Sequence, residues 1–192
     1  VALGYATLNS QNFTTATNTY NTAVGHGAGN NVSTGFQNTL IGGLAGDALT
    51  DADYNTVVGK SALTADTLGS RSVAIGAFAL EAQNFTTATN SYNVAVGYDA
   101  GGDLTTGISN TIIGGEAGDA LTDADDNVAI GRLALSGDTL GSGNTAVGRG
   151  ALKVQNFTTA TFSYNAAVGY GAGGSVTTGK SNTLIGGLAG DA

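Results

Sequence analysis

An Asn-x-x-[Val/Ile]-Gly-x-x-Ala unit recurs along the whole chain, and its spacing is regular. Copies begin at Asn21, Asn38, Asn55, Ser72, Asn93, Asn110, Asn127, Asn144, Asn165 and Asn182, with one more entering at Val1. The steps are 17, 17, 17 and 21 residues, and the series then repeats, so Asn21 returns as Asn93 and Asn165 after 72 residues. A chain that repeats itself on this scale folds as a stack in which each unit touches only its neighbours. The reading is one array over residues 1–192, with super-repeats starting near 1, 73 and 145 and the flanking units incomplete, as in a segment cut from a longer fibre.

Within a coil, take the asparagine as position zero. Position three is Val24, Ile41, Val58, Ile75, Val96, Ile113, Ile130, Val147, Val168 and Ile185, with Leu3 in the entering copy. This run of mostly β-branched residues indicates strand rather than helix and is expected to line the interior. Position one, usually Thr or Val, shares its face because side chains alternate along a strand. Position two points the other way and is also apolar: Ala23, Leu40, Val57, Ala74, Ala95, Ile112, Ala129, Ala146, Ala167 and Leu184. A strand apolar on both sides is covered on both sides, so this second column is expected to be an interchain seam in a homo-oligomer, the alternative being a monomeric roll that wets this Ala-rich stripe. Glycine at position four suits a sharp corner. The asparagines are expected to form a hydrogen-bonded ladder along the stack.

Composition supports a stacked β fold. Proline is absent, and every rung of a ladder needs its N–H. Cysteine is absent too, which excludes disulfides and thiolate metal sites and fits an exported protein. Only 10% of residues are charged, the net charge is −8, and the six basic residues are scattered, which argues against nucleic acid as a partner. No apolar run approaches the roughly 20 residues of a membrane span.

The strand motif, seen in Ser72-Val73-Ala74-Ile75-Gly76 and Asn127-Val128-Ala129-Ile130-Gly131, resembles the heads of trimeric autotransporter adhesins (YadA-like). Similar repeats occur in phage tail fibres. The resemblance implies an all-β, parallel β-solenoid of the left-handed β-roll type, about eleven coils long and trimeric, with an extracellular place on a cell surface or virion fibre. It covers every strand but only about eight residues of each coil, and the coils are longer than that family's usual ones. It therefore carries architecture and no binding residues.

Three groups of residues are candidates for contact with something else. The 21-residue coil carries Gln-Asn-Phe-Thr-Thr-Ala-Thr, placing Phe13, Phe85 and Phe157, then Tyr20, Tyr92 and Tyr164, on the longest excursion. Aromatics beside hydroxyls suit a glycan, a matrix component or a neighbouring filament; the alternative is that the rings fold back over the coil. Asp47, Asp51 and Asp53, repeated as Asp119, Asp123 and Asp125, offer oxygens to a hard cation such as Ca²⁺. They lack the glycine of a known calcium loop, and a solvated acidic turn is the heavier reading. His26, the sole histidine, has Tyr98 and Tyr170 as its equivalents and reads as a surface or packing residue.

No acid–base pair or nucleophile arrangement stands out, so the expected function is a non-catalytic structural or adhesive fibre, with a phage receptor-binding shaft as the alternative. An ice-binding solenoid ranks below both. It needs a regular Thr array on a wet face, whereas the Thr column is expected on the core side and is broken by Val73, Val94, Val128 and Ala166.

Overall fold

A computed structural model describes residues 1–191; Ala192, the last residue of the expected array, lies outside the described residues. The described residues form an all-β parallel solenoid with no helix, and so none long and apolar enough to cross a membrane. Eleven strands make one parallel sheet along the stack, beginning with β1 (Ala2–Leu3), β2 (Thr22–Val24), β3 (Thr39–Ile41) and β4 (Thr56–Val58). It continues through β6 (Val73–Ile75), β8 (Val94–Val96), β9 (Thr111–Ile113), β10 (Val128–Ile130), β12 (Thr145–Val147) and β14 (Ala166–Val168) to β15 (Thr183–Ile185). Equivalent positions pair without slippage, as in Thr39↔Thr56, Leu40↔Val57 and Ile41↔Val58. Beside the long coils, β5 (Gly69–Ser70) pairs with β7 (Thr89–Asn90), and β11 (Gly141–Ser142) with β13 (Thr161–Phe162).

The strand faces are the reverse of the sequence expectation. Position two is the interior column: Ala23, Leu40, Val57, Ala74, Ala95, Ile112, Ala129, Ala146 and Ala167 are fully buried inside the single chain. Only Leu184, in the last coil, is partly open. Positions one and three face outward, and Ile41 and Ile113 are 39% and 37% exposed. The column expected as an interchain seam is therefore the protein's own core.

Side-chain volumes are matched across the coil in several places. Across the coil from position two lie the buried alanines of position seven (Ala28, Ala45, Ala62) and the residue at position eight. Ala74, Ala129 and Ala146 accompany Leu80, Leu135 and Leu152, whereas Leu40 and Ile112 accompany Gly46 and Gly118. A Cβ on Gly46 would stand 2.9 Å from a Leu40 methyl, and one on Gly101 would stand 2.9 Å from Ile112 Cδ1. In these coils large stands opposite small, which fills the interior to the density of a protein core.

In the 17-residue coils the strand-opening asparagine makes two kinds of bond. Its Nδ2 donates to a carbonyl fourteen residues on, closing its own coil: Asn38 to Ala52 at 2.7 Å, Asn127 to Gly141 at 2.9 Å. Its Oδ1 accepts the main-chain N–H of the next asparagine, from Asn38 to Asn21 at 2.9 Å and from Asn144 to Asn127 at 2.9 Å. Asn144, which opens a 21-residue coil, donates its Nδ2 to Asn127 Oδ1 and Ser142 O instead. Amide-to-amide bonds of the expected ladder type occur only in places, as between Asn110 and Asn93 at 3.3 Å. The glycine after each strand is required by its conformation. Gly114 has φ +133°, and a Cβ on it would lie 2.6 Å from the Gly131 carbonyl carbon.

Asn127→Ala leaves the Asn144 N–H and the Gly141 carbonyl without partners in the interior. Each such loss costs about 1–3 kcal/mol, so denaturant unfolding of the variant is expected to show a stability lower by about 2–6 kcal/mol. Gly114→Ala is expected to be at least as damaging, because the methyl meets main chain that cannot move without breaking the stack. Wild-type unfolding curves for both variants would refute this account of the coil.

Candidate interaction surfaces

The outward face of the eleven-stranded sheet is a regular surface along the stack. Its first rank is Thr22, Thr39, Thr56, Val73, Val94, Thr111, Val128, Thr145, Ala166 and Thr183, and its second is the Val/Ile column of position three. From β2 to β14 every first-rank residue is half-buried. No charged residue occupies positions one to three in any coil. Rung-to-rung main-chain bonds, such as Thr39 N–H to Asn55 O at 2.8 Å, hold the surface in fixed register. The Thr column thus lies on the wet side, which corrects the expectation that it shared the core face.

The long loops fold back instead of projecting. Phe85 and Phe157 are each only 6% exposed, so they are not available as ligand contacts. Phe13 is half-buried. The anchor is a buried polar network. Asp66 Oδ1 accepts from Gly69 N–H and Phe85 N–H, both at 3.0 Å, and its Oδ2 accepts from Gln83 Nε2 at 2.6 Å. Gln83 also donates to Ser72 Oγ at 2.9 Å and accepts from Asn93 Nδ2 at 2.8 Å. Asp138, Gln155 and Phe157 repeat the arrangement. Sequence reading missed the buried Gln and Asp; their signal was that both recur in register with the four-residue insertion.

The tyrosines behave differently. Tyr20, Tyr92 and Tyr164 are 70%, 55% and 62% exposed and share a left-handed φ of 51°. Tyr164 stacks on Phe162 at 5.7 Å between ring centroids. Along the same corner, the Arg71 guanidinium lies 4.7 Å from the Tyr54 ring centroid, and its Nε donates to Asn90 Oδ1 at 3.0 Å. These exposed rings remain candidates for contact.

The acidic turns spend their oxygens on neighbouring rungs. Asp51 accepts from the Thr34 hydroxyl and Asp123 from the Thr106 hydroxyl, both at 2.7 Å. Asp53 accepts from Phe36 N–H at 2.9 Å and Asp125 from Ile108 N–H at 2.8 Å. Asp47 accepts from the Thr64 hydroxyl. The carboxylates are spread out, and no group of three or more potential ligands placed to hold a metal occurs among the described residues. His26 stands exposed against Tyr5, with ring centroids 5.5 Å apart.

A further edge, following the position-four glycines, carries segregated charge. Asp99, Asp103, Glu116 and Asp119 cluster on two successive coils. Arg132, Arg149 and Lys153 follow on the next two, and Arg132 bridges the blocks through Glu116 at 3.3 Å. Burial, then repulsion from Asp103 and Glu116, raises the Asp99 pKa. Burial, reinforced by Asp99 and Glu116, raises that of Asp119, whose buried Oδ1 has no partner. Burial also raises Asp53 and Asp66, against the lowering effect of their hydrogen bonds.

These four upward shifts share a consequence. The native chain holds protons at a pH where the unfolded chain, titrating near 3.8, has released them. Their contribution to stability therefore falls as pH rises through the raised values, and grows as pH is lowered toward 3.8. Thermal melts in a pH series from neutrality toward that value are expected to show a rising midpoint. A midpoint that drops steadily over this range would contradict it. Comparison with known proteins finds no matching family model, no similar curated protein and no similar solved structure.

Proposed function

We propose that the chain is a structural, non-catalytic segment of an extracellular adhesive fibre that associates with further copies of itself through the outward face of its long sheet. The observation that carries this reading is that face. It is uncharged at every strand position, and its two ranks of mainly β-branched side chains stand half-exposed along the whole sheet. A second copy offers the same rung spacing, the same absence of charge and the same register, so its ranks interdigitate over many coils. Three copies are the number implied by the resemblance to trimeric adhesin heads. The exposed tyrosine corner stays outside this contact and is available to a host surface, matrix or glycan. A phage tail-fibre shaft uses the same physics under a different owner.

A second reading is favoured by one observation. The Thr rank faces water, and Thr22, Thr39 and Thr56 stand on three successive rungs in register. Such an array can order water, which brings ice binding closer than the sequence suggested. The breaks at Val73, Val94, Val128 and Ala166 still count against it.

Sedimentation equilibrium is expected to give a multiple of the 18.7 kDa chain mass. Val58→Asp with Ile113→Arg places charges on the half-exposed face and is expected to return a folded monomer. A wild-type mass of one chain would sink the self-association reading. Clear thermal hysteresis from that monomer would put ice binding in its place.

A further inference from the structure

The charged edge contains a cleft in the third super-repeat that differs from its counterparts. Its volume is about 320 Å³, and its lining includes Leu133, Arg149, Lys153, Tyr170, Leu188 and Asp191. This falls at the lower end of the roughly 300–1,000 Å³ of ligand clefts. Two of the chain's six basic residues meet here, on a protein of net charge −8. The corresponding places hold Ala77 and Glu81 one super-repeat earlier, and Tyr5 and Asn9 in the first. The cations are therefore a local departure from the repeat.

The donors are arranged for an anion. Arg149 Nη1 donates to the Tyr170 hydroxyl at 3.0 Å. A phenol oxygen engaged as an acceptor keeps its own O–H free to donate. The guanidinium lies 5.6 Å from the Tyr170 ring centroid, and the ring is 57% exposed, leaving an apolar platform beside the charge. Lys153 makes no ion pair among the described residues. Asp191 adds a carboxylate acceptor to the same cleft and is itself held by the Ser175 hydroxyl at 3.3 Å. We infer that this cleft binds an acidic sugar: Arg149 and Lys153 take the carboxylate, Asp191 accepts from a ring hydroxyl, and the sugar's C–H face lies on Tyr170. An inorganic anion would leave the ring and Asp191 unused, and a neutral sugar would leave both cations unused.

The inference is independent of self-association, since the cleft and the outward sheet face are different surfaces. The probe is D-glucuronate, titrated into the whole chain and followed by NMR shifts at constant ionic strength, with D-glucose and sodium acetate as companions. Glucuronate is expected to saturate shifts in residues 149–153, 170 and 191, and to bind at least tenfold more tightly than either companion. The variant carrying Arg149→Ala and Lys153→Glu reproduces side chains that the fold already bears at Ala77 and Glu81. It is expected to keep the wild-type circular dichroism and oligomeric mass while weakening glucuronate at least tenfold. No binding of glucuronate by the wild type, equal binding of acetate or glucose, or undiminished binding by the variant would each overturn the proposal.

Discussion

The structure depends on the paired bonds of the strand-opening asparagine. One amide does two jobs that a solenoid otherwise needs separate devices for: Nδ2 closes the coil on itself, and Oδ1 ties that coil to the next. Both bonds lie in the interior, where an unmade partner is costly and a made one is undiluted by water. Because each bond fixes the start of a strand, it fixes register. Register in turn stacks every later feature of the coil at the same place: the glycine corner, the alanine column, the acidic turn. The long coils opened by Ser72 and Asn144 lack the closing bond, and in each a glutamine from the inserted loop, Gln83 or Gln155, enters the core and accepts from the next asparagine's Nδ2.

The same constraint shapes the corners. Leu63, Leu80, Leu135 and Leu152 are fully buried with left-handed φ values of 50° to 54°, a region that a β-carbon disfavours. They remain there because the leucine packs into the buried core and the rungs above and below hold the main chain. Tyr20, Tyr92 and Tyr164 share a comparable left-handed corner but point into solvent. One backbone geometry, set by the stack, thus serves both core packing and surface display.

The period, the strands, the corners and the parallel architecture were all legible in the sequence, because each is a local pattern repeated often enough to leave no alternative. The inserted loop was legible as a loop, but its path was not. Phe85 is apolar and Thr-flanked whether it projects or folds back, and what decides the matter is the carboxylate of Asp66 seventeen residues before Gln83. The acidic turns were visible as acidic, whereas their rung-to-rung bonds depend on which coil lies beside them.

What the sequence by itself determined is the one-dimensional order: eleven copies of a strand and corner, stacked in register, with long coils on a 72-residue schedule. What only the tertiary structure decided is which side of each strand is the inside. Both faces are apolar, and hydrophobicity alone favours the bulkier Val/Ile column. The interior of the coil instead takes position two, and in several coils its size is compensated across the coil, Ala74 with Leu80 and Leu40 with Gly46. That complementarity joins residues six apart along the chain and becomes a contact only when the coil closes. Its closure sends the Thr and Val/Ile ranks outward.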